Sequence, residues 1–297
     1  MRRRYFITSS LLFLAGCGTT VTLSKRKESL EMPAKLRFAV TDVSGLKDLE
    51  EKYGQFKNYL QEALETEIEF YPVVNYTAAT PAILQNEVDL VLAGPSEYVI
   101  IKSRTRSVPI ISLTRPRYRS VIAVRAESGI ASGEELKGKR IAVTNLASTA
   151  SHIGSTKLLL EAGLNPQSDL EVVVFDDKTR GKDALNALIK GEVDAWGVVV
   201  YRYEKYLQEQ GLSQNDFPVV AEGELLPNDV FIANSQLSNE LVENIRYKML
   251  SNKDRLMAGI IAAESKFKGG DLVLAKDSNY DVIRQVYQAI GYGAYLE

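Results

Sequence analysis

The chain holds 297 residues with 36 basic and 38 acidic side chains, a net charge of −2, so no basic field marks it for nucleic acid. The single cysteine, Cys17, excludes an intramolecular disulfide. The single histidine, His152, excludes a histidine pair for metal binding or proton relay.

Met1-Arg2-Arg3-Arg4 is basic, Tyr5 to Gly16 is short and mostly apolar, and Leu14-Ala15-Gly16-Cys17 sets small residues just before the cysteine. This is the pattern of an exported lipoprotein leader. Residues 1–17 are therefore expected to be a signal segment, too short for a comfortable membrane span. Cys17 is expected to carry a diacylglycerol that anchors the protein to the membrane. Arg3-Arg4-Tyr5-Phe6 leaves both the general and the twin-arginine export routes open. Loss of the leader removes three arginines and makes the mature chain more acidic. Residues 18–32 are polar and read as a tether.

Beyond the tether the chain repeats itself once. Arg37-Phe38-Ala39-Val40 is echoed by Arg140-Ile141-Ala142-Val143, and Asn86-Glu87-Val88-Asp89 by Gly191-Glu192-Val193-Asp194. Two echoes in one order at similar spacing predict two copies of one α/β unit with buried, parallel-type strands. In the first copy, strands are expected at 36–41, 68–74 and 88–92. The helix from about Leu49 to Glu65 turns Tyr53, Phe56, Leu60 and Leu64 to one face. Thr80-Pro81 opens a second helix, and Gly94-Pro95-Ser96-Glu97-Tyr98 turns into a third. Thr114 to Ser120 reads as a first crossing into the second copy, and Glu222 to Asp229 as the return, after which Val230-Phe231-Ile232-Ala233 rejoins the first lobe. The expected division is 33–117 with 223–297 for lobe 1 and 118–222 for lobe 2, with a ligand cleft between them.

The most informative stretch of the second copy is Ala147-Ser148-Thr149-Ala150-Ser151-His152, set between the strand Arg140 to Val143 and a helix that stops at Gly163. The first turn of a helix carries N–H groups without intrahelical partners, and small hydroxylated residues let an anion approach them. The same residues also make an ordinary helix cap, and taken alone they favour it. His152 fits a capped or packed side chain as well as a site residue. Trp196 reads as core, and Tyr201 to Tyr206 as a partly exposed helix.

Seven stretches in order resemble the PhnD-like family, the substrate-binding proteins of phosphonate, phosphite and phosphate ABC importers. They are Asp89 to Tyr98, Tyr118 to Val121, Ser128 to Ile130, Leu136 to Arg140, Ser148 to His152, Gly191 to Ala195 and Leu226 to Asp229. The resemblance implies the two-lobed type II periplasmic binding protein fold, α/β, each lobe a helix-flanked mixed sheet. It implies a small oxyanion ligand, permease and ATPase partners, a monomer, no cofactor and no metal. It places the oxyanion on Ser148, Thr149 and Ala150, with Ser151 in place of the family's glycine offering the hydroxyl that Ala150 lacks. Asp229 of Pro227-Asn228-Asp229 falls on a family site position. A carboxylate there repels an anion unless a proton lies between them, which would favour protonated phosphorus oxyanions over sulfate. Lys182 stands where the family has histidine and could meet the anion as a point charge or simply open a helix. Ala93 replaces a family tyrosine, with Tyr98 one turn on to fill the space; Ser96 and Tyr98 complete the expected set. Tyr201 stands where binders of aminoalkyl-phosphonates carry an acid.

Three functions follow from this reading. The first is a lipid-anchored receptor on the outer face of the cytoplasmic membrane that feeds an importer. The second is a ligand sensor of the same build for a membrane kinase. The third is an enzyme of the thiamine-pyrimidine type, disfavoured because no histidine pair, Gly-x-Ser-x-Gly or phosphate-binding Gly-rich loop is present.

Overall fold

The computed structural model describes residues 32–74, 78–175 and 181–292. The leader, Cys17 and most of the tether lie outside the described residues. Among the described residues no helix is long and apolar enough to cross a membrane.

Two sheets collect the strands. The first holds β1 (Lys35–Val40), β2 (Glu67–Phe70), β3 (Leu90–Ala93), β4 (Val108–Leu113), β10 (Asp229–Ala233) and β11 (Leu272–Leu274), in the order β11-β4-β10-β3-β1-β2. The second holds β5 (Ser120–Val124), β6 (Arg140–Thr144), β7 (Glu171–Phe175), β8 (Ala195–Val199) and β9 (Val219–Glu222), in the order β7-β6-β8-β5-β9. In each, three parallel strands are flanked by an antiparallel strand delivered from the other side of a crossing: β10 beside β3, and β5 beside β8. This is the α/β, two-lobed type II architecture. β3, β5, β8 and β10 are buried at every residue, as strands covered on both faces require.

The sequence echo has a physical cause. Asp89 accepts from the Arg37 backbone N–H at 2.7 Å and from its guanidinium at 2.8 and 2.9 Å. Asp194 accepts from the Arg140 backbone N–H at 2.8 Å. In both lobes the acid that precedes the third strand fixes its register against the first.

In lobe 1, α1 (Leu46–Leu64) buries Leu49, Tyr53, Phe56, Leu60 and Leu64 against one face of the sheet. It starts three residues earlier than its apolar stripe predicts, because Gly45 supplies φ +86° for the chain reversal. α7 (Asn239–Ser251) and α8 (Lys253–Ala263) share that layer. α2 (Ala79–Leu84), α3 (Pro95–Arg104) and α9 (Asp281–Ala289) cover the opposite face. In lobe 2, α5 (Lys182–Ile189) and α6 (Val200–Glu209) pack on one side, and α4 (Ser155–Glu161) on the other.

The two crossings, 114–119 and 223–228, run side by side. Leu226 N–H donates to Tyr118 O at 2.7 Å and Gly223 N–H to Ser120 O at 3.0 Å. The lobes also touch away from the crossings, since Ile153 of lobe 2 is buried in the lobe 1 cluster that holds Tyr98, Val230 and Tyr280.

Candidate functional site

Between the lobes lies a cavity of ≈ 70 Å³. Its walls come from the ends of β1, β3, β6, β8 and β10, from the Ser148 turn, from the first crossing at Arg115 and Tyr118, and from Lys266 and Phe267 after α8. Strand ends at a cleft are the usual ligand place in α/β sheets.

The Ser148 turn is wider than a simple helix cap. Ser148 Oγ accepts from Ser151 N–H at 3.3 Å, and the chain then makes a π-helical turn over Thr149–Gly154 before α4 begins. Gly154 permits this, since a Cβ there would lie 1.8 Å from Ser120 Oγ. Ser120 Oγ donates to Ala150 O at 2.7 Å and pins the turn to β5.

Ser148, Thr149, Ala150, Ser151 and Asp229 all line the cavity. Their hydroxyls are not all available. Ser151 Oγ donates to Gly197 O at 2.6 Å and accepts from Thr144 N–H at 2.9 Å, so its one proton joins β6 to β8 instead of replacing the donor missing at Ala150. Thr149 Oγ1 accepts from Ser96 N–H at 3.1 Å and shares a 2.7 Å bond with Ser96 Oγ. Ser96 does not line the cavity; it latches the start of α3 to the turn on the other lobe.

Lys182 and Tyr98 are placed elsewhere. Lys182 is half-exposed and pairs with Glu209 at 2.8 Å, and it is Gly181 that reaches the cavity wall. Tyr98 is buried against Tyr280 with ring centroids 4.5 Å apart and donates to Asp277 at 2.5 Å. His152 is buried, with Nδ1 2.7 Å from Leu146 O, and burial lowers its pKa, so it stays neutral outside the cavity.

Asp229 is not the lone carboxylate that the sequence suggested. Arg115 Nη1 lies 3.0 Å from its Oδ2, with both side chains only 7% exposed. Burial opposes the Arg115 charge, but Asp229 and the hydroxyls of Tyr201 and Tyr118 hold its pKa well above the usual value. The guanidinium lies 3.6 Å from the Tyr118 ring centroid and donates to Tyr201 Oη at 2.5 Å. A cation on the protein therefore faces Asp229, and the carboxylate does not by itself require a proton on the ligand.

Three other features escape a reading by motif. Glu97, in the first turn of α3, is buried in the wall, and burial, with Asp42 and Asp229 adding to it, pushes its pKa up to about 8. Its carboxylate lies against Gly94, where a Cβ would come within 2.3 Å of Oε2. Lys266 is held between Asp42 at 2.5 Å and Glu264 at 2.8 Å. Finally, Arg115 Nε, Thr144 Oγ1 and Trp196 Nε1 are buried in the wall with no hydrogen-bond partner among the described residues. All three can donate. Arg115 lay in a crossing whose run of arginines was the only available signal, and Trp196, read as core, is buried in the lobe 2 core and also borders the cavity. No group of three or more His, Cys, Asp or Glu able to hold a metal occurs among the described residues.

Two lobes, paired crossings and a donor-lined cavity between them define a two-lobed ligand-binding protein. A family model described as "ABC transporter, phosphonate, periplasmic substrate-binding protein" matches residues 38–280. The probable ABC transporter phosphite binding protein PhnD1 of Prochlorococcus marinus (strain MIT 9301) is 26% identical over 221 residues, 71% of this chain and 69% of that one. The structure of PhnD1 in complex with methylphosphonate has a TM-score of 0.68 at 17% identity, covering 88% of this chain and 99% of that one. XAC2383 from Xanthomonas citri, bound to ATP, has a TM-score of 0.69 at 15% identity, covering 89% and 100%. At those identities the two structures show a shared fold. The chain belongs to the phosphonate ABC transporter substrate-binding family, a transporter component and not an enzyme.

Proposed function

We propose that this protein captures a small phosphorus oxyanion, phosphite or a short phosphonate, in the cavity between its lobes and delivers it to a membrane permease. The observation that carries this reading is the set of buried donors without partners: Arg115 Nε, Thr144 Oγ1 and Trp196 Nε1. Buried polar groups in native proteins are rarely left unmatched, and a multi-oxygen acceptor matches several at once. Arg115, Arg202 and Lys266 stand in the same wall, with Asp42, Asp229 and the raised-pKa Glu97 as its acids. The family description names phosphonate and the curated relative's name names phosphite, which narrows the oxyanion. The cavity volume favours a ligand of few atoms. Cys17 holds the protein at the outer face of the membrane through its lipid, and closure of the lobes presents the surface that the permease reads.

Calorimetric titration with phosphite, methylphosphonate, phosphate, an aminoalkyl-phosphonate and sulfate tests this. Phosphite or methylphosphonate is expected to bind most tightly. A ligand at a hundred times its Kd should raise stability by roughly 2.7 kcal/mol. Binding of sulfate as tightly as phosphite, or of none of the five, would overturn the assignment. The anchor is tested separately: Cys17→Ser should move the protein from the membrane to the soluble fraction, and continued membrane retention would contradict it.

A further inference from the structure

Beside the inner cavity lies a larger groove of ≈ 720 Å³. The two share a wall of Tyr201, Arg202 and Lys266. The groove is lined by six basic side chains, Lys52, Arg117, Arg202, Lys205, Lys266 and Lys268, and by one acid, Glu264. They come from both lobes: α1 and the segment after α8 on one side, α6 on the other, and the first crossing between them. Acids pair with Lys52, Arg117, Lys205 and Lys266, and of those acids only Glu264, at 2.8 Å from Lys266, lines the groove. Asp48 lies 3.6 Å from Lys52 and Glu209 3.8 Å from Lys205, while Glu204 meets Arg117. Lys268 is exposed. Arg117 holds φ +59°, a backbone state that side-chain-bearing residues enter only under constraint. Such a concentration of one sign, next to a cavity that already favours anions, goes beyond what solubility needs in a chain of net charge −2.

We propose that this groove is a second anion subsite, and that the ligand is bis-anionic: a phosphorus oxyanion in the inner cavity joined through a short linker to a second anionic group, such as a carboxylate, among Lys205, Lys268 and Arg117. The inference rests on the phosphorus-oxyanion reading of the inner cavity and specifies the rest of the molecule. The Tyr201 ring and the aliphatic stem of Arg202, common to both spaces, flank the linker.

The test uses the purified protein and two ligand series at low ionic strength: alkylphosphonates, and phosphonocarboxylates of the same chain lengths. At one length the phosphonocarboxylate should bind about tenfold more tightly than its alkyl counterpart, and salt should erase the difference. Lys205→Ala/Lys268→Ala, confined to the outer groove, should remove that preference and leave alkylphosphonate affinity unchanged. Equal affinities in the two series at every length would overturn the subsite. So would an equal loss of both series in the variant, which would mark the groove as an electrostatic funnel only. If no phosphonate of either series binds, the reading of the inner cavity falls and this inference falls with it.

Discussion

At the scale of residues, the site is a balance of buried charges. Arg115 and Asp229 form a pair that neither could leave cheaply, since a buried ion stripped of its partner destabilises by about 3–5 kcal/mol. Among the described residues no cation pairs with Glu97, and burial raises its pKa to about 8. The sign of the stability effect follows. An unfolded glutamic acid ionises near its ordinary value, about 4.3, while the folded one stays protonated to about 8. Between those limits the folded state binds more protons than the unfolded state, so this group makes stability fall as pH rises through that window. Glu97→Gln keeps the shape and removes the titration. The variant should match the parent near pH 4 and exceed it increasingly toward pH 8, with each kcal/mol read as roughly 2–4 °C in Tm. Parallel melting curves from pH 4 to 8 would contradict the buried, protonated state of Glu97.

At the scale of elements, the π-helical turn joins β6 to α4 and α3 to the opposite lobe. The extra residue in the turn lets Ser148 cap it, Ser151 bind both β6 and β8, and Thr149 reach Ser96 across the cleft. Ser96 lies outside the cavity wall, so its effect on ligand affinity reports the latch and not direct contact. Ser96→Ala should weaken ligand binding by about 0.5–1.5 kcal/mol, the net worth of a hydrogen bond, with little change in the unfolding of either lobe. Unchanged affinity would remove the latch from the account. This element also shows what the sequence could convey. The position of the turn, between a strand and a helix, was legible from Ser148 to Ser151. The division of labour among its hydroxyls was not, because Ser151's partners, Gly197 and Thr144, belong to strands that only the sheet brings together. The repeat was legible for the opposite reason. Its Arg and Asp recur at similar offsets because each pair closes a local β-α-β-α-β unit, Arg37 with Asp89 and Arg140 with Asp194. Lys182 was misleading because a helix-start lysine beside Gly181 can turn to either side. In the fold it lies over the Tyr206 ring, 5.3 Å away, and pairs with Glu209.

At the scale of the whole molecule, the proposed function depends on two lobes meeting over a small ligand. The paired crossings join the lobes, and Arg115, where the first leaves lobe 1, meets Asp229, where the second returns to it, in the cavity wall. Trp196 is the only tryptophan in the chain, and it stands in the cavity wall with an unpartnered Nε1. Its fluorescence therefore reports the cavity wall and the lobe 2 core behind it. Titrating phosphite or methylphosphonate into the purified protein should give a saturable change in that emission with one binding isotherm, and Ser148→Ala/Thr149→Ala should weaken or abolish it. Emission that does not respond to any phosphorus oxyanion, or an isotherm that the double variant leaves unchanged, would contradict the claim that this cavity is where the ligand is held.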